Sequence, residues 1–105
     1  MIRNVVLGLL RAQKNSALAA ADSAQLDRAL TALAALTFPG LVAVYVGRDL
    51  GLREGGWSCA ITSDWADAAA YRVYDLDEEH NRLRRELFAP ICEQIARVQF
   101  AIPAR

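Results

Sequence analysis

The chain has 105 residues, the usual length of a single domain, so we expect one domain over residues 1–105. Hydrophobic residues make up 54% of it, which is enough to build a core and argues against global disorder. Its 12 basic and 12 acidic residues cancel, so it lacks the positive field of general nucleic-acid binding, and its apolar runs of about ten residues are too short to span a bilayer.

The first predicted element is a strand over residues 2–10, IRNVVLGLL, because aliphatic and β-branched side chains dominate it. The same stretch resembles a signal peptide, with Arg3 before an apolar run and alanine-rich triplets after it. Asn4 and Gly8 interrupt that run, so we interpret the segment as a strand rather than a leader.

The spacing of four leucines predicts the first helix, with Asp22 or Ser23 as its N-cap. Residues 11–24 are interpreted as a long connection that gains helical character near its end. The helix should stop at TFPG, because Pro39 and Gly40 cannot continue it. The leucines of this stripe are Leu26, Leu30, Leu33 and Leu36.

Two more strands are predicted over residues 41–47 and 57–65, with a glycine-rich loop between them. The loop, RDLGLREGG, lacks the strand and helix context of a phosphate-binding loop, so we interpret it as a connection between antiparallel strands. Alternation in the second strand should put Val42, Val44 and Val46 on one face, and Leu41, Ala43 and Tyr45 on the other.

A short helix should begin after Asp67, which can cap it, and end at Tyr74. Asp75 and Glu78 have the spacing of a capping box, which predicts the start of a further helix. This helix should run to about Ala89.

The order of the elements is strand, helix, strand, strand, helix and strand, the last over residues 92–102. This order predicts an α+β, ferredoxin-like fold, a four-stranded antiparallel sheet with the helices on one face and the strand order 4-1-3-2. The first two strands are apolar on both faces, so the face of the sheet without helices must also be shielded from water. The simplest cover is the same face of a second copy, and we expect a homodimer.

Cys59 and Cys92 are the two cysteines, and neither belongs to a CxxC or zinc-binding motif. They fall in the third and fourth strands, which the first strand separates in the predicted sheet. That separation exceeds what a disulfide can bridge. We therefore expect two reduced thiols in a cytoplasmic protein.

The sequence begins MIRNVVL and has FPGL after the first helix. Tyr74 follows the aromatic Trp65 by nine residues, and His80 follows Tyr74 by six. In these features the sequence resembles the stress-responsive A/B barrel (Dabb) family, whose members are dimeric α+β barrel proteins. Members commonly begin MIRHVVL and follow the pattern F-x8-Y-x-x-[HD]-P-x-H, in which Trp65, Tyr74 and His80 take the aromatic, tyrosine and histidine positions. The chain departs from the family at Asn4, where many members have a histidine, and at Glu78, which replaces the proline.

The resemblance implies that two sheets pack face to face and form a barrel. A plant polyketide cyclase belongs to the family, and the resemblance implies that His80 is a general base and Tyr74 its hydrogen-bonding partner at a carbonyl. Most bacterial members have no assigned activity, so the resemblance implies the fold rather than the chemistry. We expect no cofactor and no metal.

His80 is the only histidine, and on a helix it would share one face with Leu83. It could be a core histidine near the helix start, a base or ligand-binding donor in a pocket, or a plain surface residue. Tyr74 could likewise be a core aromatic or a pocket donor. The acidic DLDEE segment is interpreted as solvated cap residues, and RLRRE as a solvated face with an Arg82–Glu86 pair.

A pocket between the sheet and the helices would form if the face of the first strand that carries Asn4 looks at the helices. Asn4 could orient a ligand carbonyl there, but it cannot act as a base. We expect His80 and Tyr74 to carry any catalysis. The residues expected to bind the ligand are Asn4, Val6, Tyr71 and Leu83.

Two functions remain open. The first is a homodimer that binds a small apolar or aromatic carbonyl compound without chemistry. The second is a cofactor-free, polyketide-cyclase-like enzyme that enolises or cyclises such a compound, with His80 as general base and Tyr74 as its partner. A cavity of a few hundred cubic ångströms would favour binding or catalysis, and a filled one would favour a structural role.

Overall fold

The computed structural model describes residues 1–104, and its elements follow the predicted order. None of the helices in this range is both long enough and apolar enough to cross a membrane. The strands are β1 (Ile2–Leu10), β2 (Leu41–Arg48), β3 (Cys59–Trp65) and β4 (Cys92–Ala101). The helices are α1 (Ser16–Ala34), α2 (Ala68–Asp75) and α3 (Glu78–Leu83), and α3 continues into a wide π-helical turn (Arg84–Phe88) and a 3-10 turn (Ala89–Ile91).

The strands form one antiparallel sheet in the order β2-β3-β1-β4. This confirms the predicted ferredoxin-like arrangement, because the same order read from β4 is 4-1-3-2. The central strand β1 buries Asn4, Val6 and Gly8, which alternate along the strand and therefore share one face. The helices cover that face, where Val6 packs with Leu26 and Phe88 in the core.

Helix α1 begins at Ser16, because the side-chain oxygen of Asn15 accepts hydrogen bonds from two backbone N–H groups of the first turn at 2.8 and 3.2 Å. The prediction that Asp22 or Ser23 caps this helix was therefore wrong. The segment before them is rich in alanine, the best helix former, which the leucine stripe did not reveal. Leu36, the last leucine of that stripe, lies beyond the end of the helix.

Asp22 lies inside α1 and is buried. Arg11 donates two hydrogen bonds to its carboxylate at 2.9 and 3.0 Å, and Gln13 donates a third at 3.1 Å. These hydrogen bonds hold the pKa of Asp22 below its ordinary value, and Arg11 makes the largest contribution. They also fasten the connection between β1 and α1 to the helix.

Asp67 caps α2, as predicted, by accepting a hydrogen bond from the backbone N–H of Ala70 at 2.8 Å. The cap of α3 is Asp77, whose carboxylate accepts a hydrogen bond from the backbone N–H of His80 at 2.9 Å. The predicted cap, Asp75, was wrong, since Asp75 is the last residue of α2. A capping residue needs an extended backbone, and Asp77 has it, with φ −66° and ψ 130°.

Strand β2 contains a β-bulge, because its register with β3 shifts between Leu41 and Ala43. Leu41 consequently pairs with Trp65 and faces the helix-side interior, and Val42 is exposed. The predicted alternation, which grouped Leu41 with Ala43 and Val42 with Val44, was wrong at these two positions. A bulge inserts one extra residue into a strand, so the alternation reverses there.

The face of the sheet away from the helices, here called the outer face, is mostly apolar. On β1 it carries Val5, Leu7 and Leu9, which are half-buried. An ion pair also lies on it, in which the Arg3 guanidinium donates to both carboxylate oxygens of Asp64 at 2.7 and 2.9 Å. The register adds Ala43, Tyr45, Ala60, Thr62, Ala96, Val98 and Phe100 to this face.

Cys59 and Cys92 are unbridged, as predicted. They begin β3 and β4, and β1 lies between these strands. Strand β3 thus starts at Cys59 rather than at residue 57, where the prediction put it. Burial raises the pKa of both thiols, that of Cys92 to about 11, so both stay protonated near neutral pH.

We predict that Asp77→Ala lowers the free energy of unfolding by about 1 kcal/mol, because it removes the side-chain cap of α3. Asp75→Ala is the matched control, since its carboxylate caps no helix, and should change that free energy by less than about 0.5 kcal/mol. Urea unfolding followed by circular dichroism measures both values. Equal losses in the two variants would contradict the assignment of Asp77 as the cap.

Candidate functional site

A cavity of about 260 Å³ lies between the sheet and the chain that runs through α2 and α3. This volume lies just below the range for sites of drug-sized ligands, roughly 300–1,000 Å³. The cavity therefore suits a ligand smaller than those. Its lining residues are Asn4, Val6, Leu33, Ile61, Tyr71, Tyr74, Asp75, His80, Asn81, Arg84, Phe88 and Arg97.

All the predicted site residues except Leu83 lie on this cavity. Leu83 is buried but does not reach it, so its position does not support the ligand-binding role expected for it. Arg84 lines the wall instead, because on a helix a residue four positions after His80 lies closer to its face than one three positions after it. The predicted residues that line the cavity are Asn4, Val6, Tyr71, Tyr74 and His80.

The rings of Tyr74 and His80 are in contact, with centroids 3.9 Å apart and planes inclined by 33°. The cap at Asp77 helps to place them, because it holds the backbone of His80 at the start of α3, directly after the turn that follows Tyr74. Trp65 packs against Tyr74 at 4.8 Å between centroids, and Phe38 meets it edge-on at 5.5 Å. These aromatic contacts restrict the orientation of the phenol.

The imidazole of His80 is almost fully buried, with 7% of the residue exposed, and its Nδ1 has no hydrogen-bond partner within residues 1–104. Burial lowers the pKa of His80, and the nearby charge of Arg84 lowers it further. The pKa is raised by Asp75, by the backbone of Tyr74 and by Asp77, but these effects do not cancel the lowering. The ring is therefore neutral near pH 7, and a neutral imidazole can accept a proton.

Tyr74 is a hydrogen-bond donor at neutral pH. Burial raises its pKa to about 12, and the neighbouring Tyr71 and Asp75 add to this shift. The pKa of Tyr71 is also raised, mainly by burial. Neither hydroxyl forms a hydrogen bond with another residue of the described chain, so both are available to a bound molecule.

Asn4 is buried, with 3% of the residue exposed. Its side-chain carbonyl accepts a hydrogen bond from the amide of Gln99 on β4 at 2.8 Å. This side chain makes no other hydrogen bond within residues 1–104, which leaves its two N–H donors for the cavity. A ligand oxygen is the partner that suits these donors.

The sequence prediction did not include the two arginines of the cavity wall, Arg84 and Arg97. Arg84 belongs to RLRRE, which was interpreted as a solvated face, and the predicted Arg82–Glu86 ion pair is present there at 2.9 Å. Arg97 could have been found from strand pairing, because it lies opposite Val6 in the register of β4 with β1.

The acidic DLDEE segment beside the cavity contributes one carboxylate to the lining, that of Asp75. Asp77 is the cap of α3, and Glu78 pairs with Arg85 at 3.3 Å. Between residues 1 and 104 there is no group of three or more histidine, cysteine, aspartate or glutamate side chains that could hold a metal ion.

Comparison with known sequences gives a family match. Residues 16–102 match Dabb, the stress responsive A/B barrel domain, which confirms the resemblance inferred from the motifs. No curated protein matches the chain.

Solved structures of the same fold include a dimeric ferredoxin-like protein of unknown function from Thermobifida fusca, 27% identical, with a TM-score of 0.77 over 96% of this chain and 90% of that one. A Dabb family protein from Mesorhizobium loti is 20% identical, with a TM-score of 0.72 over 98% and 97% of the two chains. A hydroxynitrile lyase from Passiflora edulis is 19% identical, with a TM-score of 0.66 over 99% and 94%. These similarities confirm the ferredoxin-like fold.

We predict that His80 titrates below its ordinary pKa of 6.5, because burial disfavours the charged ring. The chain has one histidine, so the histidine ring signals in an NMR titration report this group alone. Below pH 6.5 the unfolded chain binds this proton more readily than the folded chain. The contribution of His80 to stability is therefore complete above that pH and is lost as the pH falls toward the folded pKa.

The variant His80→Gln is the control for this titration. It should lose the part of the pH dependence of unfolding that sets in as the pH falls below 6.5. Asp22, whose pKa is lowered, loses its stabilising effect only as the pH falls below 3.8, so the loss due to His80 begins at a higher pH than the loss due to Asp22. Parallel stability profiles for the wild type and His80→Gln would refute the lowered pKa.

Proposed function

We propose that this chain, which belongs to the stress responsive A/B barrel (Dabb) family, forms a homodimer and binds a small apolar or aromatic carbonyl compound. The observation that carries this proposal is the cavity of about 260 Å³, in which a phenol, a neutral imidazole and an amide meet beside the apolar side chains of Val6, Leu33, Ile61 and Phe88. A concave site that combines apolar side chains with convergent polar groups is the usual form of a ligand site.

The polar groups of the cavity suit a carbonyl compound. Tyr74 and Asn4 can each donate a hydrogen bond to a carbonyl oxygen, and neutral His80 can accept one from a hydroxyl group of the same compound. Val6 and Phe88 offer apolar surface for the rest of the molecule. This combination favours a carbonyl group carried on an aromatic or aliphatic body.

The outer face supports the homodimer. Tyr45, Val98 and Phe100 on this face are 62%, 54% and 45% exposed. Leaving a large apolar side chain in water rather than burying it costs roughly 1.5–3 kcal/mol. The outer face of a second copy would cover these side chains, and the Thermobifida fusca protein of the same fold is dimeric.

We predict that Leu7→Lys, on the outer face, converts the dimer to a monomer at micromolar concentration, because it places a charge within the contact. Leu18→Lys is the matched control, since Leu18 is 53% exposed on α1, and it should remain dimeric. Sedimentation velocity measures the mass, and circular dichroism verifies that each variant is folded. A folded wild-type chain that sediments as a monomer would rule out the homodimer.

The alternative function is a cofactor-free enzyme that resembles the polyketide cyclases. The observation that favours it is the unpartnered Nδ1 of neutral His80, in ring contact with Tyr74. His80 would take a proton from the carbon next to the ligand carbonyl, and the Tyr74 hydroxyl would donate to the enolate oxygen that forms. Asn4 cannot act as a second base. The hydroxynitrile lyase from Passiflora edulis has the same fold, so the fold is compatible with an enzyme.

We predict that 4-hydroxyacetophenone, a small aromatic ketone, binds the wild-type protein in isothermal titration calorimetry. Tyr74→Phe should weaken this binding by about 1 kcal/mol, roughly fivefold, because it removes one hydrogen-bond donor. Tyr45→Phe is the matched control, since it removes a tyrosine hydroxyl from the outer face. It should leave the affinity for the ketone unchanged.

The same ketone separates the two functions. If His80 is a general base, the methyl protons of the ketone exchange with D₂O faster in the presence of protein, and His80→Gln abolishes this acceleration. Binding without accelerated exchange would support the binding protein and contradict the enzyme. Absence of binding would contradict both.

A further inference from the structure

The cavity wall that carries Arg84 and Arg97 is not used by the function proposed above. We propose that these two arginines select a carboxylate, so that the ligand is a small carbonyl compound bearing one carboxylate group. This inference rests on the proposed function, because it concerns the same cavity and narrows the class of compound that fits it.

Both guanidinium groups lack a partner in the protein. Within residues 1–104, neither Arg84 nor Arg97 makes a salt bridge or a side-chain hydrogen bond. The arginines on either side of Arg84 differ from it, because both are neutralised on the helix surface. Arg82 pairs with Glu79 and Glu86, and Arg85 pairs with Glu78.

Both cations lie close to the polar groups of the cavity. Arg84 follows His80 on the same stretch of helix, and its charge disfavours protonation of the imidazole. Arg97, an exposed residue opposite Val6 in the register, lines the cavity from β4, and its charge acts on the hydroxyls of Tyr71 and Tyr74. A ligand held by the phenols would therefore lie within reach of a guanidinium.

The charge of the lining favours a monoanion. Asp75 is the one carboxylate among the lining residues and His80 is neutral, so the two arginines leave a single positive charge in excess. One carboxylate would balance it, whereas a doubly charged phosphate ester would leave negative charge beside Asp75. The planar fork of a guanidinium also matches a carboxylate geometrically.

The hydrogen-bonding groups of the lining favour the same ligand. Asn4, Tyr71, Tyr74 and the two arginines present donors, and these outnumber the acceptors of the lining, which are His80, Asp75 and Asn81. A ligand rich in acceptor oxygens would satisfy most of these groups. A keto group and a carboxylate on one small molecule supply such oxygens at two points.

The test compares the affinities of 4-acetylbenzoate and 4-acetylbenzamide, which share the ketone and the ring and differ in the charge of one group. We expect the acid to bind about tenfold more tightly in isothermal titration calorimetry, because charge-assisted hydrogen bonds are stronger than neutral ones. Arg84→Gln and Arg97→Gln should each reduce this preference, and the double variant should bind both compounds equally. Arg28→Gln, an exposed arginine on α1, is the matched control and should keep the full preference.

Two outcomes would overturn the inference and leave the proposed function standing: equal binding of acid and amide by the wild type, or an acid preference that persists in the double variant. If the acid, the amide and 4-hydroxyacetophenone all fail to bind, both the inference and the proposed function fail. Thermal unfolding of each variant verifies that the glutamine substitutions leave the fold intact.

Discussion

The contact between the Tyr74 and His80 rings is the interaction on which the chemistry of the site depends. Packing one ring on the other removes both from water, and this burial moves the two pKa values in opposite directions. The phenol keeps its proton and the imidazole loses its charge, so a donor and an acceptor lie side by side at neutral pH. The Asp77 cap and the Trp65 ring act on this pair by restricting where the two rings can lie.

The fold was largely predictable because apolar periodicity and turn residues are strong signals over whole elements. The strand order followed from them, whereas the sequence left open which face of the sheet the helices cover. The errors arose where one local interaction decides the structure. The cap at Asn15 starts α1 earlier than the spacing of the leucines predicts. The bulge after Leu41 reverses the alternation of side chains at two positions of an otherwise regular strand.

The candidate site was predictable to the extent that strand alternation and helix spacing place side chains on faces. Asn4 and His80 could be assigned to one cavity in this way. Arg84 could not be assigned to the cavity from the sequence, because its neighbours form a charged helix surface and the helix widens into a π turn at this residue. Arg97 required the register of two strands that are distant in sequence, which periodicity within one strand does not specify.

The bulge in β2 has a consequence for how the sheet can grow. In the order β2-β3-β1-β4, β2 is a terminal strand, and a terminal strand offers unpaired backbone groups to strands of other molecules. The register shift between Leu41 and Ala43 interrupts the regular spacing of those groups and increases the local twist. A strand added from another molecule could not keep its pairing through this point. The bulge thus limits the addition of further strands through this edge, where a regular β2 would have offered an uninterrupted ladder.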